Sequence, residues 1–171
     1  MRLFVSGLVA AGMLMGQASA ATASFCARPA ELAAFDVAGL KSQLMVTALS
    51  CAAQDKYNAF IVRFRPEMMT EERALTGYFG RTYGRRGQAR HDDYVTSLAN
   101  EQSEAGTKLG TDFCSKKVSM FDEVMALPSL HDLPTYAAGK SLVQPISLVS
   151  CPVVTRASRV PVRHKRKPLH S

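Results

Sequence analysis

Residues 36–52 read DVAGLKSQLMVTALSCA, and the spacing of their apolar side chains decides the fold class. Val37, Leu40, Leu44, Ala48 and Cys51 recur three or four residues apart, which places them on one face of an α-helix. Asp36 stands where a capping residue would accept a free backbone N–H. The pattern resumes in DKYNAFIVRF, residues 55–64, where Tyr57, Phe60, Ile61 and Phe64 share a face. Whether Gln54 and Asp55 bend one helix or separate two is open. This helix is predicted to end before Pro66, because the residue preceding a proline is pushed out of helical geometry.

The same periodicity continues downstream. A helix over residues 67–83 carries Met68, Leu75, Phe79 and Thr82 or Tyr83 inward, with Glu67, Glu71 and Glu72 in its first turns, where acids complement the positive end of the helix dipole. Residues 88–109 present Tyr94, Leu98, Gln102, Ala105 and Leu109, and residues 112–127 present Cys114, Val118, Phe121 and Met125. No strand alternation competes. The expected fold is all-α: an antiparallel bundle of four to five helices with short connections. Past Leu127 the stripe fades among Pro128, Pro134 and Pro145, leaving one helix over 135–142, and ISLVSCPVV, residues 146–154, reads as an extended segment laid on the bundle.

The ends differ from this body. Residues 1–20, MRLFVSGLVAAGMLMGQASA, have Arg2, an apolar run and a small-residue ending at Ala18, Ser19 and Ala20, the features of a secretory signal peptide. No later stretch is expected to approach the ~20 apolar residues of a membrane span. Residues 21–154 suit one domain with a single core. The formal net charge is +7, yet residues 21–154 hold 14 Lys or Arg against 14 Asp or Glu. The excess sits in a tail, residues 155–171, which carries Arg156, Arg159, Arg163, Lys165, Arg166 and Lys167 and no acid. That composition is expected to be disordered and to favour contact with anionic surfaces such as lipid headgroups or acidic polysaccharide. A solubilising terminus is the alternative.

All four cysteines, Cys26, Cys51, Cys114 and Cys151, follow the signal segment, so an oxidising compartment would let them pair. Intervening lengths of 24, 62 and 36 residues do not match the close pairs of zinc sites. Cys51 and Cys114 lie on helical stripes, and Cys26 and Cys151 in the irregular flanks. The favoured pairing is therefore Cys51 with Cys114 and Cys26 with Cys151, over the two other connectivities. With no Cys-x-x-Cys present, a redox-active role is weaker still.

The stretch GYFGRTYGRRGQARHDDYV, residues 77–95, combines Gly77, Gly80, Gly84 and Gly87 with Arg81, Arg85, Arg86 and Arg90. A phosphate loop would need a preceding strand and fixed glycine and lysine positions. Both are missing, so a helix–helix corner with glycines at the return accounts for it better. His91, Asp92 and Asp93 are consecutive on a helix and point apart. Glu101 and Glu104 read as a solvated face. Met68, Met69, Met120 and Met125 could ligate copper, but methionine on a helical stripe is ordinarily core filler. No serine-hydrolase elbow and no zinc-protease helix occurs. The sequence thus assigns no catalytic residue, no cofactor and no metal.

These features point to an exported protein, periplasmic or secreted. Its expected role is a non-enzymatic, envelope-associated binding module whose basic tail contacts anionic surfaces. Its partner would be an unknown protein or an anionic envelope component, with nucleic acid disfavoured. The alternative is a small periplasmic hydrolase or metal-handling protein.

Overall fold

The computed structural model describes residues 26–152. The expected signal segment and basic tail lie outside the described residues. The described chain is helical, with helices α1 (Pro29–Ser50), α2 (Gln54–Tyr83), α3 (Gly87–Leu109), α4 (Asp112–Lys117), α5 (Ser119–Met125) and α6 (Leu133–Ala138), and with 3-10 turns at Gly84–Arg86 and Leu130–Asp132.

Helix α1 starts at Pro29, not at Asp36. Proline fits the first helical position because the N–H it lacks would be unsatisfied there anyway, and Glu31 accepts the backbone N–H of Arg28 at 2.7 Å. Asp36 is consequently an interior residue of α1 rather than its cap. The added turns make α1 long and apolar enough to cross a membrane by length and mean hydropathy, 1.3, contrary to the expectation from sequence that no such stretch follows the signal. Its apolar character has another outlet: Phe35, Leu40 and Leu44 are fully buried, and α2, α3 and α6 all pack on this helix.

Cys51, Ala52 and Ala53 turn the chain from α1 into α2, with Ala52 in the left-handed region at φ 54°. Arg81 near the end of α2 meets Glu31 near the start of α1, so the two helices run in opposite directions. Helix α2 passes through Pro66 without ending. Pro66 and Val62, whose carbonyl loses its helical donor, are both on the exposed side, where water can replace the missing bond. Helix α3 follows its predicted span to within a residue. Residues 112–127 divide at Val118 into α4 and α5, and the helix expected over 135–142 occupies Leu133–Ala138. Leu109, expected inside, is 37% exposed.

Two apolar clusters form the core. One gathers Leu40, Leu44, Phe60, Phe64, Phe121, Val124 and Leu133. The other centres on Phe35, whose ring meets Tyr78 at 5.0 Å and Tyr94 at 5.1 Å edge to face, a favoured aromatic geometry. Beyond α6 the described chain forms neither helix nor strand and is tied back to the helices by side-chain contacts. Gln144 donates to the Phe35 carbonyl at 3.0 Å and accepts from the Tyr94 hydroxyl at 2.8 Å. Ala27 forms one isolated parallel bridge with Ser150. Disulfides join Cys26 to Cys151 and Cys51 to Cys114, the pairing that helical faces and flanks favoured.

Candidate functional site

The glycine- and arginine-bearing corner is built for packing. Gly84 adopts φ 57°, a left-handed conformation glycine takes without a steric penalty. At Gly87 an added Cβ would lie 2.9 Å from the Gly80 Cα, so the two backbones touch where α2 turns into α3. Arg81 is directed inward: it donates to Glu31 and to the Cys26 carbonyl. Arg90 lies over the Tyr83 ring, 5.8 Å from its centre, and 3.7 Å from Asp93. Arg85 and Arg86 are exposed.

A groove lies between α2 and α3, bordered also by Lys41 of α1. Ile61, Met68, Met69 and Val95 supply its apolar surface, and Lys41, Arg65, Glu72, Arg73, His91, Asp92 and Thr96 complete it. Its volume is about 750 Å³, within the range of ~300–1,000 Å³ usual for ligand sites. A second chamber of about 200 Å³ is walled by Ala38, Ser42, Met45, Tyr57, Leu75 and Leu98 and shares Lys41, Glu72 and Val95 with the groove. Met69 and Val95 are 56% and 45% exposed, an apolar surface that water covers.

Two buried polar atoms in these walls lack a hydrogen-bond partner: the Ser42 hydroxyl and His91 Nε2. His91 Nε2 lies 3.2 Å from Glu72 Oε1, close enough for charge interaction but not aligned for a hydrogen bond. The His91 ring also packs on Phe79 at 5.4 Å. His91, Asp92 and Asp93 do not converge. Asp92 receives Gln88 at 2.9 Å, and Asp93 faces Arg90. The cross-helix partner of His91 is Glu72, which no local spacing in the sequence could have indicated.

Electrostatics in the neighbourhood follow burial. Desolvation, and then the nearby Glu67 carboxylate, raise the Glu71 carboxyl above its ordinary range. Desolvation, reinforced by Asp36, pushes the Tyr94 phenol up, which keeps it a hydrogen donor to Gln144. Desolvation alone raises Tyr57 and Asp36.

Among the described residues no group of three or more His, Cys, Asp or Glu is arranged to hold a metal ion. Of the methionines considered for copper, Met68 and Met69 line the groove, while Met120 and Met125 belong to the core around Phe121. The four cysteines are consumed in disulfides. The six tail cations lie outside the described residues. No protein-family model, no curated protein and no solved structure matches the chain.

Proposed function

We propose that this chain is an exported, envelope-associated binding module, a disulfide-stapled antiparallel helical bundle whose recognition element is the α2–α3 groove. The supporting observation is the groove itself, an open cavity of about 750 Å³ with exposed methionine and valine at its surface and charges around them. Flexible thioethers let such a surface adapt to a partner's shape. The tail, with six cations and no acid over residues 155–171, adds attachment to anionic surfaces, an interaction that falls with ionic strength. The signal-like first twenty residues and the two disulfides are compatible with export.

Retention in the cell envelope tests both parts. Removal of residues 155–171 lowers retention at low salt, and Val95→Trp, which fills the groove, lowers the fraction that survives high salt. Retention unchanged in both forms overturns the proposal.

A second reading, a small hydrolase, draws on one feature, the buried His91 ring 3.2 Å from the exposed Glu72 carboxylate in the groove wall beside Thr96. A histidine beside a carboxylate is a common acid–base arrangement. Hydrolysis of activated esters lost in both His91→Gln and Glu72→Gln would favour it, and the absence of any turnover would remove it.

A further inference from the structure

We infer that the groove and its side chamber bind a free fatty acid, with the alkyl end in the chamber and the carboxylate held at the mouth by Lys41 and Arg65. The inference rests on the groove being the recognition element and specifies what enters it.

Charge complementarity carries the head-group assignment. Lys41 and Arg65 have no acid partner among the described residues, and Arg73 engages only the Thr70 hydroxyl. The same wall carries three cations, Lys41, Arg65 and Arg73, against two acids, Glu72 and Asp92. The uncompensated charge at the mouth is therefore positive. A guanidinium also matches the two oxygens of a carboxylate.

Chamber shape carries the chain assignment. Ala38, Met45, Leu75, Val95 and Leu98 make its wall largely apolar, and its volume is about 200 Å³. A single helical turn ~10 Å across and 5.4 Å long does not fit that space, so the backbone of a partner helix would stay outside it. A linear chain end of about seven carbons fits, each methylene taking roughly the ~30 Å³ share of a water molecule. Lys41, Glu72 and Val95 border both spaces, so one ligand can extend from chamber to mouth. The unpartnered Ser42 hydroxyl, with Lys41, Tyr57 and Glu72, makes up the polar part of the wall.

Equilibrium dialysis of the oxidised chain against dodecanoate and dodecanol, each below its micelle concentration, tests this. Saturable binding of one dodecanoate is expected, with dodecanol at least tenfold weaker. Val95→Trp, placed at a half-exposed position to spare the fold, should weaken dodecanoate at least tenfold with its melting temperature preserved. Lys41→Glu, or Arg65→Glu if the first variant does not fold, should shrink the preference for acid over alcohol. Equal affinity for acid and alcohol overturns the inference. So does undiminished binding by Val95→Trp, or association only with anionic vesicles that disappears with residues 155–171. If Val95→Trp loses envelope retention while dodecanoate fails to bind, the groove remains the recognition element and the fatty acid is excluded.

Discussion

Arg81 Nη2 lies 2.6 Å from Glu31 Oε2 and 2.9 Å from the Cys26 carbonyl oxygen, so one guanidinium ties the end of α2 to the start of α1 and to a disulfide. The two side chains are 22% and 8% exposed, and removal of one partner leaves the other largely desolvated. Arg81→Met is expected to destabilise the protein by about 2–4 kcal/mol, somewhat below a fully buried pair. Adding Glu31→Gln should cost less than the sum of the single changes, because the orphaned carboxylate is gone. Urea unfolding of the double-mutant cycle checks this, and additive losses would show that the pair is not coupled.

The two disulfides close loops of different length, with sequence separations of 125 and 63. Chain entropy assigns each about 4–5 kcal/mol, with the longer loop larger by about 0.6 kcal/mol. Their local consequences should differ more than their energies. Cys26→Ala with Cys151→Ala frees the segment that bridges Ala27 and exposes Val149, 71% accessible already, so limited proteolysis should cut near residue 149 before the helices. Cys51→Ala with Cys114→Ala should leave that segment protected. Equal cleavage in both variants would contradict the assignment.

Gly77 and Gly87 separate two uses of glycine. A Cβ at Gly77 meets nothing within 4 Å, whereas at Gly87 it meets the Gly80 backbone at 2.9 Å. Gly77→Ala is therefore expected to stabilise by about 0.5–1 kcal/mol, the ordinary helix preference for alanine. Gly87→Ala should destabilise by about 1–3 kcal/mol, the scale of overpacking against atoms that cannot move aside. Thermal unfolding distinguishes them, and effects of the same sign would show that the corner is not closely packed.

Burial raises the Asp36 carboxyl above its ordinary 3.8. A carboxyl raised in the folded state binds its proton more tightly there, so its cost is absent below pH 3.8 and develops as pH rises through the folded value. Asp36→Asn should raise the melting temperature at pH 7, and the difference from wild type should shrink toward zero by pH 3. A gain that is independent of pH would assign the effect to packing.

Legibility in the sequence followed periodicity. Leu40, Leu44, Phe60, Phe64 and Leu98 lie on helical stripes and all are buried, and the apolar stripes that carry Cys51 and Cys114 are enough to suggest their pairing. The start of α1 was obscured because Pro29 resembles a loop residue, although proline followed by Glu31 is also a helix-start signature. The groove was not legible. Lys41, Glu72 and His91 come from three helices, and the same residues read singly are a surface lysine, a first-turn acid and a helix-start histidine. Only tertiary packing makes them neighbours.

Pro66 tests the continuity that the sequence missed. It sits inside α2 with Val62 one turn earlier, and both face outward. Proline in a helix interior is ~3 kcal/mol less favourable than alanine, partly offset by ~0.4–1 kcal/mol through its restriction of the unfolded chain. Pro66→Ala restores an N–H to the Val62 carbonyl and is expected to stabilise by about 2–2.6 kcal/mol in urea unfolding. Because Arg65 and Met68, on either side of Pro66, line the groove, tightening the helix here should also alter dodecanoate affinity. A stabilised variant with wild-type affinity would separate the proline from the groove, and a destabilised one would show that α2 depends on the break in its hydrogen-bond ladder.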